Sequence, residues 1–476
     1  MEVFRSTRRI VGFAAVGFIA TISALVLLGM FAGGVQDTPP GVVNNTVARG
    51  AQVLTDPVPL AERLRSGFGY FAILAIAVLF SRNRRGIDWR VVTFGVLTQV
   101  GFALVLMKIG GKTFFNSVND GFIWVLNYKD KGATFVFGSF QSGSTIIEAP
   151  LMTFAFYVLP TIIFFCCIMT VLYHLGVMQV IVKGVAWIMQ KTMRTSGAET
   201  LSAASNIFLG QTEAPLLVKP FIKNMTGSEL MTVMVGGFAT IAGSVMALYI
   251  GFLNEYLPGV GGHLMAASVL NAPAGLFLAK IFYPEDSEPE TRGTLKMNVE
   301  KLDANVIGAA ARGASEGVML AINVAAMLIA FVSVVALLNG LIELIFSQFG
   351  ATGFTLERIL GWVTYPFAWL MGIRTEDCAA VSTYLGEKLI LTELWAYKHL
   401  GQDLAKPEFI IHTRSAEITT YALLGFANFA SIGIQIGGIG GLAPERKGDL
   451  ARLGLSAMIA GTFAAYLSAC LAGVLL

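Results

Sequence analysis

An all-α integral membrane protein is the fold class this sequence predicts, on three observations. The 476 residues are 55% hydrophobic and only 13% charged, whereas a soluble globular protein carries about 25% charged residues. Apolar runs long enough to cross about 30 Å of hydrocarbon recur along the whole chain. Two short stretches also answer each other: Thr212-Glu213 ahead of Gly237-Phe238-Ala239-Thr240, and Thr392-Glu393 ahead of Gly425-Phe426-Ala427-Asn428. A carboxylate in apolar surroundings is costly in a membrane and marks a route for a polar solute. Paired broken segments in two halves point to the binding site of a carrier.

The runs lie near 10–33, 68–81, 91–109, 152–173, 229–252, 263–281, 315–346, 414–436 and 453–475. The first follows Arg5, Arg8 and Arg9, as a signal peptide would, but its apolar core exceeds the usual 7–15 or so residues. It is therefore read as an extra, uncleaved N-terminal transmembrane helix. The Lys/Arg bias sets orientation. Arg5, Arg8 and Arg9 are inside, followed by Arg82, Arg84 and Arg85, then Lys183, Lys191 and Arg194, then Lys219 and Lys223, and last Arg446, Lys447 and Arg452. The N-terminus is then cytoplasmic and the C-terminus external. The count closes only if 197–222 and 357–398 enter and leave from opposite faces without crossing. Gly210, Pro215 and Pro220 interrupt the first, and Pro366 and Gly372 the second. Two opposed re-entrant hairpins are what an inverted repeat requires.

The chain divides accordingly. Residues 1–67 hold the extra helix and an external loop, and 68–175 the peripheral scaffold helices. Residues 176–283 hold an interfacial helix, the first hairpin and the first transport repeat. The polar stretch 284–303 is a cytoplasmic linker, and 304–476 hold a scaffold helix with the second hairpin and repeat. For 176–194, a buried bundle helix is the alternative to the interfacial one.

Net charge of +3 is too small to suggest a nucleic-acid partner. Cys166, Cys167, Cys378 and Cys470 have no zinc-type spacing, and the histidines are scattered. Nothing resembles a phosphate loop, a nucleophile elbow or an acidic cluster for a lipid-linked substrate. The chain reads as neither an enzyme nor an ATP-driven pump, which leaves an ion gradient as the energy source.

Four constellations carry the chemistry. In Asn206-Ile-Phe-Leu-Gly-Gln211-Thr212-Glu213, Gly210 permits a break and Gln211 offers both donors and acceptors; a solvated hairpin tip is the alternative. In 236–245, three glycines weaken the helix. Either they allow close packing, or the turn unwinds and its carbonyls, with the Thr240 hydroxyl and the Asn206 amide, enclose a sodium ion. Glu393 can accept from two adjacent hydroxyls. Phe426 can stack on a flat solute or fill the core, and Asn428 and Ser431 share a helical face. Glu213 and Glu393 are expected to converge on one hydrated cavity. Glu376 and Asp377 beside Arg374 read as a paired turn at the outer hairpin tip.

At these motifs the chain resembles the concentrative nucleoside transporter family. The matching phrases are GQTEAPLLVKPF at 210–221, GGFATIAGSVMALY at 236–249, INVAAMLIAFVSVVALLNG at 322–340, GFANFASIGIQIGG at 425–438 and GLAPERKGDLAR at 441–452. The resemblance spans roughly 68–476. It implies an inverted-repeat core of eight spans and two re-entrant hairpins, assembled as a homotrimer in the plasma or inner membrane. It implies a sodium-coupled nucleoside symporter, with uridine, cytidine or adenosine as examples of the substrate. By this resemblance Gln211, Thr212, Glu213 and Val245 meet the nucleobase. Glu393, Asn428 and Ser431 hold the ribose, and Phe426 lines the pocket. Asn206 and Thr240 supply side-chain oxygens to sodium, and Leu209 and Ile241 supply carbonyls. Proton-coupled relatives tend to carry GQSE and a smaller residue in place of Asn206. A proton-coupled version, with Glu213 or Glu393 taking up the proton, is the alternative. Where the family commonly has Asn-Glu-Phe-Val-Ala-Tyr, this chain reads Thr392-Glu393-Leu394-Trp395-Ala396-Tyr397, which leaves purine-versus-pyrimidine preference open.

Overall fold

The structure, a computed structural model, describes residues 52–54, 58–141, 154–292, 303–348 and 354–476. The expected helix at 10–33 and most of the 34–67 loop lie outside the described residues. In chain order the helices are α1 (Leu60–Leu79), α2 (Trp89–Leu104), α3 (Gly111–Gln141), α4 (Phe154–His174), α5 (Val177–Met193), α6 (Gly197–Ser205), α7 (Gly227–Ala239), α8 (Gly243–Leu253), α9 (Val260–Phe282), α10 (Val306–Ser347), α11 (Leu356–Leu370), α12 (Cys378–Ile390), α13 (Glu393–Leu404), α14 (Thr413–Leu423), α15 (Phe429–Leu442) and α16 (Lys447–Leu475). One small departure from an all-α fold is the parallel pairing of β1 (Gln52–Leu54) with β2 (Ile410–His412), Val53 opposite Ile411.

Helix starts follow side-chain chemistry. Ser196 with Glu199 and Thr226 with Glu229 form capping boxes at α6 and α7, each satisfying orphan backbone donors reciprocally. Asn428 accepts from Ser431 N at 2.8 Å at the start of α15, and Thr392 caps α13. A helix apolar on every side must be buried. This is the situation of α7, α9 and most of α16, which form the centre of the molecule. By length and apolarity, four stretches among the described residues can cross a bilayer: Trp89–Ile109, Gly227–Leu253 with its break, Val260–Phe282 and Pro444–Leu475. The apolar runs at 68–81, 152–173 and 315–346 are helical as α1, α4 and α10.

At the periphery α4 and α10 pack along each other through small residues. A Cβ on Gly313 would lie 2.6 Å from Thr170 Oγ1, and one on Gly317 2.7 Å from Ile163 Cα. The other side of α10 exposes Ile322, Ile329, Leu337 and Leu344, an apolar face too large for water contact. Gly176, at φ 84°, turns the chain between α4 and α5, which lie at 75° to one another. One side of α5 is buried through Val182, Ala186 and Met189, while Val180, Ile181 and Trp187 are exposed on the other.

The sequence reading missed α3. It carries Asn116, Asn119, Asp120, Asn127 and Lys129, which hid it from a search for continuous apolar runs. Its buried Phe115, Asn119, Leu126, Lys129 and Ala133 nevertheless recur at steps of four, seven, three and four, which places them on one face of a helix.

One further expectation differs in part: within 357–398 the chain is interrupted at Gly372, as expected, but not at Pro366. Pro366 lies within α11 and Gly372 in the turn that follows, and the reversal that reaches the centre is the Leu391–Thr392 step between α12 and α13. The turn at Arg374, Glu376 and Asp377 also finds partners from distant parts of the chain. Arg374 Nε lies 3.4 Å from Glu62 Oε1, and Asp377, only 4% exposed, lies 2.9 Å from His412 Nδ1. A buried carboxylate needs a partner at hand, and the start of α14 supplies it from a distant part of the sequence.

Both glycine-rich runs are broken. Residues 240–242 separate α7 from α8, with Thr240 extended at φ −121° and ψ 176°, and 424–428 separate α14 from α15. The breaks touch. Gly425 has φ 106°, and a Cβ there would lie 2.5 Å from Phe238 O and 2.7 Å from Ala239 O. Gly425→Ala is therefore expected to lower the thermal midpoint in detergent by several degrees, since both conformation and space reject the methyl. Gly433→Ala, on the exposed side of α15 with open space around it, is expected to leave the midpoint unchanged or raise it. Equal midpoints for the two variants would contradict the account of the touching breaks.

Candidate functional site

The two breaks leave backbone carbonyls without helical partners, and the fold supplies substitutes. Asn271 Nδ2 donates to Ala239 O at 2.7 Å. The fully buried Lys388 ammonium donates to Ala422 O and Leu424 O, each at 3.0 Å. Irregular backbone at membrane depth persists only with such cover.

Glu393 opens α13 and is 4% exposed. Its Oε1 accepts from Tyr249 OH at 3.0 Å and its Oε2 from Asn428 Nδ2 at 2.9 Å. Tyr249 is held by stacking on Tyr397, with ring centroids 4.1 Å apart, and Tyr397 OH donates to Thr420 O. Asn428 and Ser431 are buried side by side at the start of α15. Ser431 Oγ accepts from Gln211 Nε2 at 3.3 Å, so the irregular segment after α6 is joined to the start of α15. Gln211 Oε1 in turn accepts from Gln435 Nε2 at 3.1 Å. Val245 is buried on α8, and Phe426 is half-buried in the second break. Gln211, Glu393, Asn428 and Ser431 thus form one hydrogen-bonded run.

Thr212 and Glu213 face elsewhere. They line a cavity of about 1050 Å³ between the 208–223 segment and the α4–α10 pair, with Met169, Tyr173, Arg312 and Glu316 on its far side. Glu213 Oε2 accepts from Gly210 N at 3.0 Å. Glu393 is not among the residues lining this cavity, so in this state the two carboxylates do not share it. Gln211, committed to Ser431 and Gln435, connects the two sides.

The cation-type oxygens lie beside this run. Asn206 Nδ2 is committed to Ser202 O at 3.0 Å, which turns Oδ1 the other way, and that oxygen is buried with no hydrogen-bond partner. An unsatisfied buried acceptor is costly and calls for a ligand. Thr240 Oγ1 donates to Gly236 O at 2.9 Å, leaving its lone pairs available to a cation. Leu209 and Ile241 lie in the adjoining irregular backbone. Neutral amide, hydroxyl and carbonyl oxygens suit a hard cation, so the residues present fit sodium.

Three residues of the site were missed by sequence reasoning: Tyr249, Lys388 and Gln435. Tyr249 follows Val245 by four, and Gln435 follows Ser431 by four, so each continues a helical face already singled out. Lys388 carried no such signal, because its carbonyl partners come from the distant α14–α15 break.

Three family profiles together cover most of the chain: Na+ dependent nucleoside transporter N-terminus over 68–140, Nucleoside recognition over 155–256, and Na+ dependent nucleoside transporter C-terminus over 263–473. A protein of Haemophilus influenzae named as an uncharacterized transporter is 44% identical over 420 residues, spanning 86% of this chain and 97% of that one. Sodium/nucleoside cotransporter 1 of Mus musculus is 39% identical over 433 residues, spanning 88% of this chain and 65% of that longer protein. The structure of CNTnw in an inward-facing substrate-bound state matches with a TM-score of 0.79 at 39% identity, covering 87% of this chain and 98% of that one. A CNTnw variant in an outward-facing state matches with a TM-score of 0.81 at 38% identity, covering 88% and 99%. The chain belongs to the concentrative nucleoside transporter family, the Na+-dependent nucleoside transporters of the membrane, and is a multi-pass carrier rather than an enzyme.

Proposed function

We propose that the protein is a sodium–nucleoside symporter that works by alternating access. The observation that carries this reading is the buried run from Gln211 to Glu393, which lies beside the orphaned Asn206 oxygen. Consecutive glycines bring the two together: a Cβ on Gly236 would lie 3.0 Å from Asn206 Nδ2, and one on Gly237 2.9 Å from Gln211 Cβ. Any shift of the first hairpin on filling the cation site is felt at once by Gln211. Such a shared element is what reciprocal coupling of two ligands needs.

In this reading Glu393, an acceptor on both oxygens when ionised, takes the adjacent ribose hydroxyls, with Asn428 and Ser431 beside it. Gln211, Thr212, Glu213 and Val245 meet the base, and Phe426 lines the pocket. Asn206 and Thr240, with the carbonyls of Leu209 and Ile241, hold sodium. The cavity between the first hairpin and α4–α10 is the solute's route on one side. The architecture that goes with this is eight core spans, two opposed re-entrant hairpins and an extra N-terminal helix. The N-terminus is cytoplasmic and the C-terminus external, in a homotrimer of the plasma or inner membrane. The exposed apolar face of α10 supports burial of that helix in lipid or against a neighbour. Uridine, cytidine and adenosine are the substrates to test.

Glu393→Gln is expected to lower uridine uptake by about a hundredfold or more, because hydrogen bonds to a charged acceptor exceed those to a neutral one. Uptake into proteoliposomes measures it, and wild-type rates would remove Glu393 from the mechanism. Asn206→Ala is expected to raise the sodium concentration for half-maximal uptake and, by reciprocity, to weaken the dependence of uridine affinity on sodium. An unchanged sodium titration would contradict the ion site. Replacing sodium by choline at fixed pH is expected to stop concentrative uptake, and uptake that persists would favour proton coupling.

A further inference from the structure

Gln435 is fully buried on α15 and is not a residue that any ligand role yet explains. Its Nε2 donates twice, to Met234 O on α7 and to Gln211 Oε1, each at 3.1 Å. Its Oε1 is buried with no partner. The close approach depends on Gly237, where a Cβ would lie 2.8 Å from Gln435 Nε2.

The polarity of these bonds follows from chemistry. A backbone carbonyl only accepts, so Met234 O fixes which end of the Gln435 amide faces α7. The nitrogen's second hydrogen then meets Gln211, which must present its oxygen there. The Gln211 nitrogen is thereby turned to the opposite side, toward Ser431 Oγ at 3.3 Å. A hydroxyl can donate or accept, so Ser431 does not decide the orientation of Gln211. Gln435 does.

We propose that Gln435 is a specificity-determining positioning residue: it locks the Gln211 amide so that its NH₂ group, with one hydrogen left after Ser431, faces the solute and selects a base carbonyl. This inference rests on the proposed function, which takes Gln211 to meet the nucleobase. The unpaired Gln435 oxygen sharpens it, because an apolar side chain of similar size would fill the same space without an orphaned acceptor. The residue leaves one buried acceptor unsatisfied, and what it supplies in return is the orientation it imposes.

The test is sodium-driven uridine uptake into proteoliposomes by the full chain carrying Gln435→Met, Gln211→Ala, or both. Gln435→Met removes an unsatisfied acceptor along with the donor, so the thermal midpoint is expected to stay at or above that of the wild type. Loss of one oriented hydrogen bond raises KM for uridine by about tenfold with little change in maximal rate. If Gln435 acts through Gln211, the double variant has a KM within about twofold of Gln211→Ala alone, the non-additivity expected of coupled residues. A wild-type KM for Gln435→Met, or KM effects that multiply in the double variant, would overturn the role of Gln435. A wild-type KM for Gln211→Ala would instead overturn the reading of Gln211 as a base contact, and this inference with it.

Discussion

The contact between the two helix breaks is the constraint on which the rest depends. In hydrocarbon every backbone donor and acceptor must be satisfied within the protein, so neither 240–242 nor 424–428 could unwind in isolation. Gly425 brings its backbone against Phe238 and Ala239. Asn271 reaches in from α9 to one freed carbonyl, and Lys388 reaches from α12 to two more. The unwound backbone is covered on each side by protein, and the polar side chains around it are held in place by the same contacts.

From that arrangement follows a directional chain of hydrogen bonds. It starts at an obligatory acceptor, Met234 O, and ends at another, the Glu393 carboxylate. Between them the amides of Gln435, Gln211 and Asn428 each have one orientation consistent with their neighbours. Asn428 is pinned twice, by the Ser431 N–H on its oxygen and by Glu393 on its nitrogen. Pre-orientation of this kind reduces what binding must spend on ordering side chains. It also ties the segment around Gln211 to the start of α15.

The buried cation and carboxylates elsewhere serve the frame. Lys280 Nζ lies 2.7 Å from Glu199 Oε2 and 3.0 Å from Glu285 Oε2 and donates to Ser228 Oγ. Through the two capping boxes, this network ties the starts of α6 and α7 to the end of α9. A buried ion pair is weak evidence for stability; here its geometric effect is to hold the start of α6 against the central helices.

The sequence alone determined that this is a helical membrane protein, that two glycine-interrupted segments each follow a carboxylate, and that the polar residues of the site cluster there. These are local facts: hydropathy over a window, a glycine that weakens a helix, a cap residue ahead of it. The helix α3 was not legible in this way: of its buried Phe115, Asn119, Leu126 and Lys129 two are polar, so the spacing emerges only once the packing is known. Tertiary structure decided what local rules do not reach. Which three helices make up 357–398, that Asp377 pairs with His412, and that Glu213 faces a cavity away from Glu393 all depend on packing between distant segments. The same holds for the orientation of Gln211. An amide has two chemically opposite ends on one nearly symmetric frame, and only the neighbour it meets in three dimensions says which way each end points.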